Sequence, residues 1–537
     1  EIMQQPKPTN EKYSKIIEKI EDGSYQIPKF QRDFVWKKEQ TTKLIDSLLK
    51  GFPIGSFIVW KTKERLKSLK KIGGKILKDI KEGVDIYYVL DGQQRITSLF
   101  LALKGEKADD FNYKDIYIDL SKNEDSDEEI CNLEKTKNSI RFYDLMHQDA
   151  FDLQDIIGKE KAKKCKILRE RIENYDFSII EIENLPLEKI ADIFTRINTS
   201  GKELTLFEIM NAKIYTEPSE QTQGFDLQEK FNILVDELEN SNSGYESIAD
   251  NKQIILQLIS SILQKNAKRE AILSIPKNNF INEWEESIKS LKLAIEYVRN
   301  FLKIPVSKLL PYPVLLVPIA YFFRINDLKQ PSNNQAKAIS KYFFRSSFSG
   351  RFSSSTETKL NADIKLIEKI KDNKEINFKE EIPIDSTKKD FINRLYFDFS
   401  AGNAFDKAIL CIMAYAEPKS LNNNAKVRLD NSYLSIATSK NYHHFFPKAY
   451  LKRKKQDEFA NALANITLVD DYLNKREIKD KAPKEYIKKF QKENTNLVNT
   501  LKTHFIELEN FGIFDDSYDL FLQKRTEKLA NEILKRI

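Results

Sequence analysis

An apolar strand that turns directly into an amphipathic helix is the feature that most constrains the first part of this chain. Residues 87–90 read as the strand, residues 91–95 (Asp-Gly-Gln-Gln-Arg) as a turn, and residues 96–103 as the helix. The first N–H groups of a helix have no partner within it, and the helix dipole is positive there. The pattern therefore predicts an α/β domain with a phosphate cradle formed by Asp91, Gly92, Gln93, Gln94 and Arg95. The alternative is a purely structural turn whose arginine pairs with a surface acid.

A second Gln-Arg pair lies upstream, in the segment Ile-Pro-Lys-Phe-Gln-Arg at residues 27–32, which is followed by Trp36. The two pairs together resemble the nucleotide-binding half of the GmrSD-type restriction proteins, a domain that is similar to ParB and sulfiredoxin. An Arg-Ile-Asn segment further on also matches that domain. The resemblance implies an NTP site that includes Gln31, Arg32, Arg196 and Asn198, and an N-terminal domain covering residues 1–215.

Histidine is rare here, yet two of the four histidines are adjacent. They precede a Phe-Phe-Pro sequence, and Asn465 and then Asn474 follow nine residues apart. This order resembles the ββα-metal nuclease motif, also called HNH or His-Me finger. Taken alone, a histidine pair on a strand would place one ring in the core and the other on the surface, because strand side chains alternate.

Phosphodiester hydrolysis needs a base, and neutral imidazole is suited to that role near pH 7. By resemblance His444 is the general base, Asn465 belongs to the catalytic loop and braces it, and His443 and Asn474 are the metal ligands. The expected metal is Mg²⁺ or Mn²⁺. Most members of the family carry an acid where this chain has His443, and imidazole favours the softer ion.

Positive charge is concentrated beside this motif. The whole chain has a net charge of +7, and residues 440–492 alone contain fourteen Lys and Arg against seven Asp and Glu. Such a patch can bind nucleic-acid phosphates without sequence specificity. The candidate DNA-binding residues are Lys452, Arg453, Lys454, Lys455, Lys475 and Arg476. A merely solvated surface is the alternative, since the chain is Lys-rich throughout.

Length and composition bound the architecture. A chain of 537 residues is too long for one core. We expect an α+β, mostly helical protein with a ParB-like NTP-binding domain (1–215), a helical connecting region (216–425), an HNH-type nuclease domain (426–495) and C-terminal helices (496–537). Three cysteines without close spacing argue against disulfides and indicate the cytoplasm. The most apolar stretch, 309–323, contains three prolines and reads as a buried helix rather than a membrane span.

The resemblance, which extends to the SspE and BrxU relatives of the family, implies an NTP-dependent, metal-dependent DNA endonuclease of the type IV restriction class. Its expected partners are double-stranded DNA, in particular modified phage DNA, and an NTP such as GTP or ATP; no membrane is expected, and a homodimer is allowed. Two alternatives stay open. One is an NTP-switched DNA-binding or regulatory protein without nuclease activity, and the other is a nuclease toxin that acts on RNA or host DNA.

Overall fold

The structure is a computed structural model. It describes residues 5–29, 36–108, 110–123, 128–197, 204–218, 223–430, 442–470 and 472–537. The chain forms two compact units, Glu1–Leu227 and Gln228–Ile537, called here the N-terminal and C-terminal units. Helices predominate and strands are concentrated in the N-terminal unit, so the predicted α+β, mostly helical class is confirmed.

A five-stranded mixed sheet organises the N-terminal unit. Its strands, in spatial order, are Lys7–Lys12, Asp176–Glu183, Phe57–Thr62, Ile86–Asp91 and Tyr25–Gln26. Lys7–Lys12 is antiparallel to Asp176–Glu183, and Phe57–Thr62 is antiparallel to Ile86–Asp91. Asp176–Glu183 is parallel to Phe57–Thr62, and Tyr25–Gln26 is parallel to Ile86–Asp91. The predicted strand at 87–90 is thus one residue longer at each end and lies next to the sheet edge formed by Tyr25–Gln26.

Helices and short strands complete this unit. Gly92 and Gly105 have φ of +90° and +63° and bound the helix Gln93–Lys104, which begins three residues earlier than predicted. A three-stranded sheet is formed by Cys131–Asn132, Tyr117–Asp119 and Ser139–Arg141. One two-stranded hairpin is formed by Lys71–Ile72 and Lys75–Ile76, and another by Lys107–Ala108 and Phe111–Asn112. The other helices are Tyr13–Glu21, Lys38–Leu49, Phe142–His147, Ala150–Ile157, Lys159–Asn174, Leu187–Ile197 and Leu206–Ile214.

The described part of the C-terminal unit is a helical assembly with a short hairpin. The hairpin strands are His443–His444 and Ile466–Thr467. The α-helices are Leu227–Asn240, Gln253–Gln264, Arg269–Ser274, Lys277–Asn300, Leu316–Ile325, Asn333–Phe348, Thr356–Lys371, Phe378–Glu381, Lys388–Leu395, Ala404–Tyr415, Lys448–Arg453, Pro483–Glu493, Leu497–Lys502 and Tyr518–Arg536. Short 3-10 helices are Glu246–Asn251, Ser307–Leu309, Pro313–Leu315, Arg351–Ser353 and Leu463–Asn465, and Leu473–Ile478 is a π-helical turn.

The proline-interrupted stretch 309–323 becomes a buried helix, Leu316–Ile325, entered through the 3-10 turn Pro313–Leu315. Eight of its ten residues are buried, as the apolar sequence predicts. Within the described ranges, no helix combines the length and the apolarity that crossing a membrane requires.

A buried ion pair lies between the helices Asn333–Phe348 and Thr356–Lys371. Asp363 is fully buried, accepts a hydrogen bond from Tyr342 Oη at 2.7 Å, and accepts another from Arg351 Nε at 2.7 Å. Burial raises the pKa of Asp363, and the Arg351 guanidinium opposes that rise. Arg345, on the preceding helix, donates to the Ile382 carbonyl. Arg345 and Arg351 therefore both have partners inside the protein.

Asp363→Ala is expected to destabilise the C-terminal unit by on the order of 3 kcal/mol, because it leaves the Arg351 charge buried without its carboxylate. Urea unfolding of the full chain measures this. Glu286→Ala removes an exposed ion pair with Lys289 and should leave the unfolding curve unchanged. Equal unfolding midpoints for Asp363→Ala and the native chain would show that the pair contributes nothing.

Candidate active site

The two adjacent histidines form the first strand of the hairpin in the C-terminal unit. His443 is paired with Thr467, and His444 with Ile466, in antiparallel register. The chain then turns at Pro447 into the helix Lys448–Arg453. Strand alternation points the two imidazoles to opposite faces, so each has its own surroundings.

His443 lies in the core. His443 is 1% exposed, its Nδ1 is hydrogen-bonded to the Thr467 hydroxyl, and its Nε2 has no hydrogen-bond partner among the described residues. Burial lowers the pKa of His443 well below its usual value, and electrostatic interactions with His444, His504 and Arg525 lower it further. The ring is therefore neutral, with one buried nitrogen unused.

His444 is 7% exposed and faces a different set of groups. Its Nε2 lies 2.9 Å from the Oδ1 of Asn461. Burial lowers the pKa of His444 and Lys448 adds to that effect, whereas the hydrogen bonds with Asn461 and the Tyr442 backbone raise it. The balance keeps this imidazole neutral near pH 7, which is the form a general base needs.

Asn465 holds the loop that follows the histidines. Its Oδ1 accepts from the Phe446 N–H at 2.9 Å, and its Nδ2 donates to the carbonyls of Phe446 and Ala460 at 2.9 and 3.0 Å. The side chain is fully buried. All these partners are backbone groups, so the amide fixes the path of the chain between the two strands.

A buried arginine reaches the hairpin from the last helix, Tyr518–Arg536. Arg525 is fully buried, and its Nη1 donates to the carbonyls of Ala464 and Ile466, each at 2.6 Å. Its Nη2 donates to the His504 carbonyl at 3.1 Å. Burial lowers the pKa of Arg525 to about 9 and that of His504 to about 4. The helix Tyr518–Arg536 thus supports the hairpin directly.

Asn474 is the second residue of the π-helical turn Leu473–Ile478 and is half-buried. The turn is capped by Asp470, whose carboxylate accepts from the Leu473 N–H at 3.0 Å. Within the described residues, no group of three or more His, Cys, Asp or Glu side chains is arranged to hold a metal ion. A metal site at this hairpin would therefore depend on imidazole and amide groups rather than on a carboxylate cluster.

The basic residues predicted to bind DNA lie at the surface. Lys452, Arg453, Lys454 and Lys455 are all exposed at the end of the helix that follows the histidines. Arg453 donates to the carboxylate and the carbonyl of Asp480. Lys475 and Arg476 are also exposed, and the Arg476 guanidinium lies 5.5 Å from the centre of the Tyr472 ring.

The predicted phosphate cradle is a tightly built strand–turn–helix. A Cβ at Gly92 would lie 2.2 Å from the Phe57 ring, so only glycine fits. Arg95 Nη1 donates to the Ile54 carbonyl at 2.6 Å, and its Nη2 donates to the Ser56 carbonyl at 3.0 Å and to Asp91 at 3.1 Å. Arg95 therefore ties the turn to the neighbouring strand, as in the structural alternative.

The other predicted nucleotide-site residues are placed as follows. Gln93 is buried, and Gln94 Oε1 accepts from the Trp36 N–H at 3.2 Å. Arg196 is exposed in the last turn of the helix Leu187–Ile197. Gln31, Arg32 and Asn198 lie outside the described residues.

A cavity of about 540 Å³ opens beside Trp36 in the N-terminal unit. Phe111 and Tyr113 also line it, together with Lys37 and Lys38. The Lys38 ammonium lies 5.3 Å from the centre of the Phe111 ring. Glu39 and Asp110 line the same cavity, so two carboxylates balance the two ammonium groups, and the aromatic rings suit a ligand with a flat ring.

Comparison with known proteins bears on the same unit. Residues 13–215 match the family model of the GmrSD restriction endonuclease N-terminal domain. This confirms the resemblance predicted for that part of the chain. An uncharacterized protein of Methanocaldococcus jannaschii is 24% identical over 587 aligned residues, which cover 97% of this chain and 95% of the relative. The similarity to that protein therefore extends through both units.

Sequence reasoning missed three residues that shape the hairpin: Asn461, Thr467 and Arg525. Asn461 and Thr467 flank the Asn465 that the motif identifies, and a search for polar residues around it would have found them. Arg525 lies about sixty residues further on and carries no local signal.

Arg95→Ala is expected to destabilise the N-terminal unit by on the order of 2 kcal/mol, because the carbonyls of Ile54 and Ser56 lose a charged donor. Thermal unfolding measures the loss. Arg196→Ala, an exposed arginine predicted for the same site, is the control and should leave the melting temperature unchanged. If Arg95→Ala melts like the native chain and only NTP binding is lost, the guanidinium serves the ligand and not the fold.

Proposed function

We propose that this chain is a metal-dependent DNA endonuclease of the modification-dependent restriction type, gated by an NTP bound in the N-terminal unit. The proposal rests on the neutral, hydrogen-bonded imidazole of His444 on a hairpin, in a chain whose residues 13–215 match a restriction endonuclease domain. The exposed basic residues that follow the hairpin supply a surface for the DNA backbone.

His444 is the general base in this proposal. A neutral imidazole takes a proton from water as the water attacks phosphorus, and burial keeps the ring neutral beforehand. Asn465 keeps the loop around the base rigid through its backbone hydrogen bonds. Rigid placement of the base favours the reaction because little reorganisation is then needed.

His443 and Asn474 are the residues that would hold the metal. The ring of His443 is held neutral, as a metal ligand must be, but it lies in the core and on the opposite face of the strand from His444, so a metal bound to it in this structure would not share a face with the base. A divalent cation supplies positive charge that stabilises the phosphoryl and leaving oxygens. The buried Arg525 charge opposes either cation equally. Because imidazole suits transition metals, Mn²⁺ is favoured over Mg²⁺.

In the N-terminal unit, the cavity beside Trp36 is the proposed nucleotide site. Its aromatic residues suit the base, and Lys37 and Lys38 can pair with the phosphates on the side away from the carboxylates of Glu39 and Asp110. The N–H groups at the start of the helix Gln93–Lys104 suit an anion as well. Trp36 connects this cavity to the turn through its hydrogen bond with Gln94.

The test is cleavage of modified phage DNA, unmodified plasmid and RNA, with Mn²⁺ or Mg²⁺, with and without GTP or ATP. Cutting of modified DNA that requires an NTP and stops with EDTA supports the proposal. Binding without cutting under every condition favours the NTP-switched DNA-binding alternative. Preferential cutting of RNA or host DNA favours the toxin alternative.

His444→Gln should reduce cleavage by at least ~10²-fold, because glutamine cannot accept a proton from water. NTP hydrolysis and the melting temperature should stay near native values. His147→Gln is the matched control: His147 lies in the N-terminal unit and contacts the Leu103 carbonyl, so its replacement should leave cleavage unchanged. Native-rate cutting by His444→Gln would rule out this histidine as the base.

The pH dependence of kcat/KM should follow the fraction of the enzyme in which His444 is unprotonated. Because the pKa of His444 is lowered from 6.5, the unprotonated form persists below that pH. Cleavage should therefore hold steady as the pH falls past 6.5, and decline only at lower pH as the ring is protonated. A decline that begins above pH 6.5 would mean that another group controls the rate.

His443→Asp should shift the metal preference from Mn²⁺ toward Mg²⁺, since a carboxylate is the harder ligand. The nearby Arg525 charge would stabilise the new carboxylate. The measurement is the ratio of cleavage rates with the two metals, with Thr467→Ser as the control for disturbance of the histidine pocket. An unaltered ratio would place this side chain outside the metal's ligands.

A further inference from the structure

A cavity of about 420 Å³ lies within the C-terminal unit, where two helices end. The last turn of the helix Lys277–Asn300 supplies Arg299, and the turn that follows the helix Ala404–Tyr415 supplies Glu417. A volume of this order is typical of a small-molecule site. The described lining includes neither the hairpin histidines nor the predicted DNA-binding residues, so the cavity is a separate feature of this unit.

The two loops that line the cavity are held by hydrogen bonds. Tyr245 Oη donates to the Ile304 carbonyl at 3.0 Å, which fixes the loop after the first helix. The Val427 N–H donates to the Pro418 carbonyl at 2.9 Å, which fixes the loop after the second. The side chains of the cavity therefore extend from backbone segments with a fixed path.

Positive charge exceeds negative charge around this cavity. Its described lining contains the carboxylate of Glu417 and four cations, which are Arg299, Lys303, Lys426 and Arg428. Glu417 forms an ion pair with Lys426 and lies 4.0 Å from the Lys303 ammonium. Arg428 is largely exposed and pairs with Asp430 at 2.9 Å. Four cations against these two acids leave an excess of two positive charges.

Arg299 is the cation whose hydrogen bonds are not satisfied. Its Nε is buried and has no hydrogen-bond partner among the described residues. The negative end of the helix dipole favours a cation at this position, but a dipole does not supply an acceptor for a buried N–H. Glu417 is engaged by the two lysines. An acceptor oxygen of a ligand would therefore recover the free energy that this unpaired donor costs.

The remaining walls of the cavity are largely apolar and include Pro305, Val427 and Leu429. A matching ligand has an anionic group with several acceptor oxygens and a partly apolar body. The phosphate of a monoester can accept from a guanidinium and an ammonium together. We propose that this cavity binds a small phosphate monoester of about the size of a nucleoside monophosphate, with the phosphate held by Arg299 and Lys303. The inference does not depend on the proposed nuclease.

Calorimetric titration of the full chain with AMP, inorganic phosphate and adenosine tests the site. AMP should bind more tightly than phosphate or adenosine, because it alone fills both parts of the cavity. Arg299→Met should weaken AMP binding by at least ~10-fold, since charge-assisted hydrogen bonds are lost. It also removes a buried donor without a partner, so the melting temperature should stay the same or rise. A lower melting temperature with native AMP affinity would assign Arg299 to the fold and overturn the inference.

Lys303→Ala and Lys308→Ala form a matched pair of variants. Each removes one ammonium from the segment that follows the first helix, but Lys308 is exposed and does not belong to the described lining. Lys303→Ala should weaken AMP binding, and Lys308→Ala should leave it unchanged. Equal losses in the two variants would mean that AMP responds only to the general positive charge of this surface, which would contradict a built site.

Lys38→Ala separates this cavity from the nucleotide site proposed in the N-terminal unit. AMP binding that falls in Lys38→Ala but not in Arg299→Met would place the ligand in the N-terminal unit and overturn the inference. The absence of both AMP and phosphate binding to the native chain would also overturn it. So would Arg299→Met weakening the binding of duplex DNA but not that of AMP, because the site would then hold a nucleic-acid backbone.

Discussion

One buried guanidinium holds together the hairpin on which the C-terminal site is built. Arg525 donates to three backbone carbonyls. Those of Ala464 and Ile466 lie at the second strand of the hairpin, and the third is that of His504. Burying a cation is costly, and three carbonyl dipoles offset that cost. Among the described residues, no carboxylate forms an ion pair with Arg525, so its positive charge is not cancelled locally.

That uncancelled charge adds to the effect of burial on the protonation of the groups around it. The pKa values of His443 and His504 are both lowered by burial and by Arg525. In a medium of low dielectric constant, each added positive charge makes the next one less favourable. The histidines near the hairpin therefore remain neutral, and neutrality is the condition for both a base and a metal ligand.

Local sequence signals predicted the local structure well. The strand at 87–90, the buried helix within 309–323 and the hairpin histidines are all signalled by residues close in sequence. Three features were not predictable in this way. Arg95 uses acceptors 39 and 41 residues upstream, Asn461 is held by residues 397–399, and Arg525 lies about sixty residues beyond the strand that it supports. Each depends on packing between distant segments, which a single sequence does not reveal.

Three arginines donate hydrogen bonds to backbone carbonyls: Arg95 in the N-terminal unit, and Arg345 and Arg525 in the C-terminal unit. A carbonyl satisfies the hydrogen bonds of a guanidinium but carries no net charge, so the arginine leaves a positive potential around it. In the turn, Asp91 neutralises part of that potential. Arg95 therefore fixes the turn through its hydrogen bonds while it leaves a positive potential beside the first N–H groups of the helix Gln93–Lys104.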